Sequence, residues 1–592
     1  MTRGLLAPLL ALPALAGPAA QQDVADFNDL HLRATVISPW PANLSEGYMP
    51  LFVELENDSA RERVVEIEAR ARSWGDVEHL VTRVVRVGPG ERFRRELTLP
   101  AFGLDGGGYG VLFRTGGERR FAYPSGGIYG GAADVDPILL LRNEDPPQAV
   151  VDGWTQAVAR REHDRGGNKT YDVSLAVVPP AEAARRYDAY TSLHAVVVDT
   201  HDVEASQVPE AVVTWARLGG TLAFLGPNAE RVAGDVPGLA GWMEARFQLD
   251  PEELEGTVFT CGHGLLVVGE EREFLGARDV GTLQRAMDRN PSYAPGSYNQ
   301  PSFLRDLPIP GLKDVPYRFF ILFLFGFAVL IGPVNFLLVK STGRPAWLLL
   351  TIPMIALLTS ASILAYGVFY QGIELKEAEE TYTLLDQREH LADTIEVRCF
   401  FAGLAPTDGL RPGPATACLP FRYDRGESDS LFLLDDRQGT VLSGEFLPVR
   451  REGSQVVLSE RAARGRLALE RMSAEVLRCE NGLGAPIEAL AVRGADGWTY
   501  AWEKAEDEAP IPPGGSVELV RAELSLTDRI TAWMPKPIEG RDLTWSDGLP
   551  HSTYVARVSA NPFADDAGLV PEVSVGQHVV LGVLARDEED WQ

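Results

Sequence analysis

Two long stretches without a charged residue constrain this chain more than any other feature of its sequence. The first runs from Phe319 to Val339 and the second from Pro345 to Ile373. Each is long enough to cross roughly 30 Å of hydrocarbon as an α-helix. Residues 340–344 leave room only for a tight turn, so we predict a helical hairpin in a lipid bilayer, with transmembrane helices at 318–340 and 345–372.

The first 20 residues are typical of a secretory signal peptide. Arg3 precedes an apolar run from Leu5 to Ala16, and small residues allow cleavage after Ala16 or Ala20. Export followed by two crossings leaves both large soluble regions outside the cytoplasm and the loop 340–344 inside it. Helical spans belong to plasma membranes, because outer membranes hold β-barrels, so we predict a bacterial plasma (inner) membrane.

Charge and the content of the spans argue against several classes of function. The chain has 55 Lys and Arg against 83 Asp and Glu, a formal charge of −28, which disfavours nucleic acid as a partner. Neither span contains an ionisable side chain, so the sequence lacks the proton relay or ion site that transport needs. At 592 residues the chain exceeds the size of one hydrophobic core, and we expect several domains.

Residues 23–126 show the alternation of half-buried strands. Examples are the runs Leu51 to Glu56 and Val64 to Ala69, which are separated by turn residues such as Asn57-Asp58-Ser59. Apolar and polar residues at period two indicate antiparallel strands with one buried face. We predict a β-sandwich here.

Residues 134–288 change to strands that alternate with helices. An apolar run from His194 to Thr200 is followed by a helical stretch, the turn Gly219-Gly220, and a second strand from Thr221 to Leu225. Such alternation implies a parallel sheet that is covered on both faces. The sequence therefore predicts a doubly wound α/β domain.

The stretch from His194 to Glu230 resembles the class I glutamine amidotransferase-like domains, a doubly wound fold related to flavodoxin. In that family an apolar strand ending in Asp precedes a helix, a Gly-Gly turn, and a strand that runs into a sharp elbow. Active members carry a Cys on the elbow, with a His and a Glu from later in the domain. Here the elbow reads Gly226-Pro227-Asn228-Ala229-Glu230. The resemblance implies the fold without the family's nucleophile.

The resemblance also implies a crevice at the carboxyl ends of the strands, where α/β sheets bind ligands. Asp199, His201 and Asp202 follow one such strand and are candidate ligand-binding residues. The alternative is a polar loop that caps the next helix.

Cys261 and His263 are the candidate catalytic pair. An imidazole close to a thiol can activate it as a nucleophile, and residues two apart on a strand share a face. The alternative is a turn into a late strand, where Gly262 and Gly264 serve backbone geometry and the Cys is buried.

Residues 289–317 are rich in Pro, Gly, Asn and Ser and are predicted to be a flexible linker that lets the outer domains reorient. Residues 376–592 return to short alternating runs and predict a β-rich region of one or two sandwich-like units. In that region Trp498 lies at spacing two from other aromatic residues and is a candidate for stacking on a sugar or peptide. The alternative is that these aromatics form the core face of a sheet.

The cysteines and histidines predict no cofactor and no metal site. Cys399 and Cys418 flank a turn-rich segment, and export makes a disulfide between them chemically possible. Four cysteines without a Cys-x-x-Cys pair do not predict a zinc site, and the histidines are scattered singly.

Taken together, the chain looks like bacterial membrane proteins that combine this α/β domain with two spans and β-rich flanks, for which the resemblance implies an architecture but no reaction. Our hypothesis is a non-catalytic, membrane-anchored envelope protein that binds or scaffolds other envelope or membrane proteins. The alternative is an envelope thiol hydrolase or amidotransferase that uses Cys261 and His263. A sensor is a third reading, but a five-residue cytoplasmic loop offers little for an intracellular partner to contact.

Overall fold

A computed structural model gives the fold of this chain. The residues that the structure describes are 22–41, 44, 47–72, 77–101, 108–123, 135–144, 146, 151–152, 160–164, 167–239, 257–269, 281–284, 286–287, 307–310, 312, 317–343, 345–404, 409–421, 430–494, 497–505, 507–522, 549, 551–565, 567–569, 571 and 573–584. The predicted signal peptide and most of the predicted linker lie outside these residues. The described part is mixed α/β, rich in β-sheet, with two apolar helices.

Two antiparallel sheets form from the N-terminal part of the chain. The first has the order β1-β2-β3-β6, with β1 (Gln22–Phe27), β2 (Leu32–Ile37), β3 (Tyr48–Asn57) and β6 (Arg92–Pro100). The second contains β4 (Arg63–Arg72), β5 (Val77–Val87), β7 (Gly108–Thr115) and β8 (Glu118–Ala122). Alternate residues of β2 are buried, as period-two patterning requires.

The second N-terminal sheet is completed by strands from the far side of the hairpin. β19 (Ser430–Asp435) pairs in parallel with β5, and β20 (Val441–Gly444) pairs with β19, which gives the order β20-β19-β5-β4-β7-β8. One hydrogen-bonded sheet therefore contains strands from both of the regions predicted at 23–126 and 376–592.

A seven-stranded sheet with a parallel centre follows. Its order is β10-β11-β9-β12-β13-β15-β14, and the five central strands are parallel. The strands are β9 (Val135–Leu141), β10 (Arg160–Asp164), β11 (Gly167–Val178), β12 (Ala195–Asp199), β13 (Thr221–Leu225), β14 (Thr257–Cys261) and β15 (Gly264–Gly269). Counted along the chain, the parallel strands lie in the order 2-1-3-4-5, which flavodoxin-like doubly wound sheets share.

Helices α1 (Glu210–Arg217) and α2 (Ala229–Asp235) pack on this sheet. Helical residues at 281–284 and 286–287 also pack on it, through Leu283, Ala286 and Met287. Short 3-10 turns lie at Pro180–Glu182, Tyr187–Tyr190 and Ala205–Gln207. Every residue of β12 and β13 is buried, which is why both strands are continuous apolar runs in the sequence. The predicted parallel sheet with alternating helices is present.

After the hairpin the chain forms one 11-stranded sheet. Its order is β18-β21-β17-β16-β28-β27-β24-β25-β26-β23-β22, and only the β16–β28 pair is parallel among the described strands. The strands are β16 (Leu375–Asp386), β17 (Leu391–Ala402), β18 (Thr416–Phe421), β21 (Glu452–Ala462), β22 (Arg466–Arg471), β23 (Val476–Gly482), β24 (Ile487–Arg493), β25 (Thr499–Glu503), β26 (Ser516–Arg521), β27 (Thr553–Val558) and β28 (Val573–Val583).

Two helical segments are long and apolar enough to cross a membrane. The first comprises α3 (Tyr317–Val329), a π-helical segment (Leu330–Val334), and α4 (Asn335–Thr342). Pro333 lies inside the π-helical segment, where its missing N–H interrupts the α-helical ladder. The second is α5 (Leu348–Gln371). Their large apolar side chains are mostly exposed, as lipid-facing residues would be.

The regions before and after the hairpin share one hydrophobic core. Leu51, Val196 and Tyr382, from three different sheets, belong to the same buried cluster. Ile309, just before α3, packs on Cys399 and Phe401 of β17. The prediction that the outer domains reorient freely is wrong for the described residues, because buried contacts fix them to one another.

The predicted disulfide between Cys399 and Cys418 is not formed. Both side chains are buried thiols, on β17 and β18. Strand β21 runs between these two strands, so the two backbones lie two strand spacings apart, about 10 Å. A disulfide needs Cα atoms within about 7 Å. Cys399 Sγ lies 3.3 Å from Ser454 Oγ of that intervening strand.

This arrangement predicts the outcome of a thiol titration. All four cysteines are buried, and burial raises the pKa of Cys261 and Cys418 to about 12. We expect no thiol of the native protein to react with a water-soluble disulfide reagent at pH 8, and all four to react after denaturation without reductant. If only two thiols reacted after denaturation, the other two cysteines would be joined in a disulfide.

Candidate functional site

A cavity of about 320 Å³ lies where the N-terminal, parallel and C-terminal sheets meet. Its walls come from β3, β5 and β6, from the turns at 181–188, and from residues between 412 and 442. Small-molecule sites usually measure about 300–1,000 Å³ and often lie between domains. The cavity therefore has the size and the place of a ligand site.

Five arginines line this cavity together with four carboxylates. The arginines are Arg83, Arg94, Arg95, Arg185 and Arg186, and the carboxylates are Glu96, Glu182, Asp188 and Asp436. Acidic residues outnumber basic ones by 83 to 55 in the whole chain, so the cavity reverses the balance of the molecule.

Three of the arginines are held by carboxylates, and one of these is Arg94, whose Nε lies 3.6 Å from Glu54 Oε1. Nε and Nη2 of Arg186 donate hydrogen bonds to Asp188 at 3.1 and 2.6 Å. Arg83 on β5 forms an ion pair with Asp436, just after β19. The Arg83–Asp436 pair links the N-terminal and C-terminal parts beside the cavity.

The other arginines leave positive charge uncompensated. Burial and the guanidinium groups of Arg95 and Arg186 lower the pKa of Arg83 to about 10, a sign that like charges face one another here. Arg95 and Arg185 are exposed and form no ion pair with any residue that the structure describes. Guanidinium groups bind carboxylates and phosphates through paired hydrogen bonds, so an anion would relieve this repulsion.

Glu96 lies on the same wall. Its Oε2 accepts a hydrogen bond from the backbone N–H of Arg185 at 2.8 Å, while its Oε1 is buried without a hydrogen-bond partner in the described part of the chain. Burial raises the pKa of this carboxyl group. Protonated, it would donate a hydrogen bond to an anionic ligand rather than repel it.

Sequence reasoning missed this cavity. Its arginines come from positions 83–95 and 185–186, and the carboxylate of Asp436 comes from beyond the hairpin. The doublets Arg94-Arg95 and Arg185-Arg186 are a weak signal, because the chain has three more Arg-Arg pairs, at 119–120, 160–161 and 450–451. Nothing local in the sequence shows that the doublets meet.

The structure brings the predicted residues Asp199, His201 and Asp202 together at the carboxyl ends of β9 and β12, the point where the strand order reverses. Asp199 Oδ1 lies 2.8 Å from His201 Nδ1, and its Oδ2 lies 2.8 Å from Arg142 Nη1. Asp202 Oδ2 accepts hydrogen bonds from the backbone of residues 143–144. These contacts join the loops to each other, and a ligand-binding role for the three stays a prediction.

The elbow after β13 adjoins this group. Gly226 has φ +119° and Asn228 has φ +61°, both in the left-handed half of backbone space. A side chain at Gly226 would collide with His201 Nδ1 and Thr200 Oγ1, so glycine is required for this close approach. The tight turn ends at Asn228. The side-chain amide of asparagine cannot act as a nucleophile.

The surroundings of Cys261 and His263 favour the alternative reading, a turn into a late strand with a buried thiol. They lie on either side of the turn residue Gly262, which has φ +63°, between β14 and β15. Cys261 is fully buried, and burial raises its pKa to about 12, so the thiol stays protonated near neutral pH. His263 Nε2 lies 2.9 Å from the carbonyl oxygen of Asp393, and its ring packs edge-on against Tyr382. These are structural contacts with the C-terminal sheet.

Trp498 lies beside β25 rather than on it. Its side chain is 47% exposed, and the Arg521 guanidinium covers the ring at 2.9 Å from the centroid. Tyr500 is buried in the core of the C-terminal sheet. A stacking ligand would have to displace Arg521, and the role predicted for Trp498 stays a prediction.

A buried ion cluster joins α1 to the C-terminal sheet. Arg217 Nε donates to Asp393 Oδ2 at 3.0 Å, and its Nη2 contacts Glu460. Burial raises the pKa of Asp393 to about 6, although the Arg217 guanidinium acts to lower it. The cluster holds together the parts of the chain on either side of the hairpin.

Neither a protein-family model nor a curated protein matches the chain. Among solved structures, a Paenibacillus cycloisomaltooligosaccharide glucanotransferase is 9% identical, with 27% of each chain covered and a TM-score of 0.12. Bacteroides uniformis β-glucuronidase 2 is 12% identical, with 33% of this chain and 34% of that chain covered and a TM-score of 0.15. An Amycolatopsis orientalis exo-chitosanase is 10% identical, with coverages of 95% and 63% and a TM-score of 0.14. The chain spans about a third or less of the first two, and likenesses at these TM-scores carry no argument.

Proposed function

We propose that this chain is a non-catalytic, membrane-anchored envelope protein whose soluble part binds a small anionic ligand outside the cytoplasm. The observation that carries the proposal is the arginine-lined cavity at the junction of three sheets. A ligand there would contact all three parts at once and tie them together. Its class is a molecule with carboxylate or phosphate groups.

The shared core supports a topology with both soluble regions on one side of the membrane. Residues before α3 and after α5 pack in one buried cluster, and β19 completes a sheet of N-terminal strands. Parts that pack on each other must lie on the same side, and two crossings return the chain there. The predicted signal peptide makes that side the outer one.

The strand order 2-1-3-4-5 and the elbow at Asn228 support a relationship to the amidotransferase-like domains. The missing nucleophile argues for binding rather than catalysis. The alternative thiol hydrolase has no support from the surroundings of Cys261, whose thiol is buried and protonated.

The ligand class is testable with inorganic phosphate and citrate as probes. We expect either anion to raise the melting temperature of the purified full chain in detergent, relative to potassium chloride at equal ionic strength. Arg95→Gln and Arg185→Gln should each weaken the affinity by about tenfold or more, because each removes charge-assisted hydrogen bonds. Calorimetric titration measures that affinity.

Arg119→Gln is the matched control, since Arg119 is exposed on β8, three strands away from β5 in the same sheet. It should bind the anions as the unmodified chain does. Equal weakening in all three variants, or no difference between the anions and chloride, would refute an anion site in this cavity.

A further inference from the structure

Three glutamates meet on one face of the C-terminal sheet. Glu377 and Glu379 are on β16 and Glu396 is on β17, and one carboxylate oxygen from each lies within 4.8 Å of the others. Strand β16 begins at Leu375, four residues after α5 ends at Gln371. The cluster is therefore close to the membrane end of this sheet.

The charges around the cluster do not balance. Arg398 Nε lies 3.3 Å from Glu377 Oε1 and also pairs with Glu396. His578 Nε2 lies 3.5 Å from Glu379 Oε1. Among the residues that the structure describes, three carboxyl groups thus share one guanidinium in a largely buried place, where an ionised carboxylate is costly without a counter-charge.

One carboxylate oxygen in the cluster is orphaned. The side chain of Glu396 is 1% exposed, and its Oε1 accepts from Arg398. Its Oε2 is buried and has no hydrogen-bond donor among the residues that the structure describes. The carboxyl group of Glu379 lies within hydrogen-bonding reach of Glu396. Two carboxylates cannot bond to each other unless a proton or a cation lies between them.

We propose that Glu377, Glu379 and Glu396 bind one hard divalent cation, with Ca²⁺ as the best fit. A divalent cation adds positive charge beside three carboxyl groups and supplies the partner that Glu396 Oε2 lacks. Ca²⁺ holds carboxylate oxygens at about 2.3–2.6 Å, so oxygens up to about 5 Å apart can share one ion, whereas Mg²⁺ requires a tighter cage. Zn²⁺ favours nitrogen and sulfur ligands, which this set does not provide.

The test is direct binding to the full chain in detergent. After treatment with EDTA, the protein should bind one equivalent of Ca²⁺ by calorimetric titration, more tightly than Mg²⁺ or Zn²⁺, and its melting temperature should rise with Ca²⁺ concentration. Glu396→Gln and Glu379→Gln should each weaken binding by about tenfold or more, because each removes a charged ligand. Glu396→Gln should also raise the melting temperature of the metal-free protein, since it removes a buried charge.

Glu480→Gln, on the exposed face of β23, is the matched control and should bind Ca²⁺ unchanged. Failure of the unmodified chain to bind any of the three cations at millimolar concentration would overturn the proposal and leave a shared proton between Glu379 and Glu396. Binding that survives both cluster variants would overturn it as well. The result does not depend on the anion cavity, which involves none of these residues.

Discussion

Replacing Arg217 with methionine is expected to destabilise the folded chain by about 3–5 kcal/mol, because the change leaves the buried carboxylate of Asp393 and the partly buried carboxylate of Glu460 without their counter-charge. Chemical denaturation of the purified full chain in detergent at pH 8 measures the loss. Burial already raises the pKa of Asp393 to about 6, so the folded state holds this proton more tightly than the unfolded state does. Stability from this group is present in acid and falls as pH rises through about 6, so the variant should lose less at pH 5 than at pH 8.

Arg231→Met on α2 is the matched control for this prediction. Arg231 also pairs with a carboxylate, Asp235, but both side chains are more than half exposed, so the loss should be small. A variant that also replaces Asp393 and Glu460 with apolar residues should regain most of the stability, because no buried charge remains. Equal effects of Arg217→Met and Arg231→Met would show that the cluster is not important for folding.

Gly264→Ala is expected to destabilise the folded chain by about 3 kcal/mol or more, at or above the upper end of the usual range for overpacking. Gly264 opens β15 against the end of α1, and a methyl group there would overlap the carbonyl oxygens of Ala216 and Gly220. Backbone atoms in a buried turn cannot move aside as a flexible side chain can. Thermal unfolding of the purified variant, or its failure to accumulate in membranes, measures the effect.

Gly234→Ala provides the contrast. Gly234 lies in α2, and an added methyl group there would meet nothing within 4 Å. Alanine favours a helix over glycine by about 0.5–1 kcal/mol, so this variant should be neutral or more stable. A Gly264→Ala protein as stable as Gly234→Ala would mean that the β15 turn relaxes without cost.

The sequence predicted what depends on local patterning. The apolar stretches after Arg318 indicated two helices, and alternation indicated the strands of the N-terminal and C-terminal sheets. The continuous apolar runs of β12 and β13 indicated the parallel sheet, because strands covered on both faces need no polar alternation. Each of these predictions depended only on the residues within a single helix or strand.

Long-range pairing was beyond such reasoning. Residues 430–435 pair with residues 77–82, and no local signal marks either segment as the partner of the other. The same holds for Arg83 and Asp436 in the cavity and for the strand that separates Cys399 from Cys418. The rule that residues two apart on a strand share a face does not apply to Cys261 and His263. Gly262 has a positive φ and turns the chain between them.

Both ends of the hairpin are tied to the same sheet, and this has a mechanical consequence. Ile309 packs on β17 before the chain enters α3, and β16 pairs with β17 soon after α5 ends. The hairpin of two helices is thus attached to the C-terminal sheet at both of its ends. A tilt or a sideways force on either helix would therefore reach two adjacent strands, β16 and β17, which carry Asp393 and the three clustered glutamates. The position of the two helices is thus coupled to the part of the core where charge is buried.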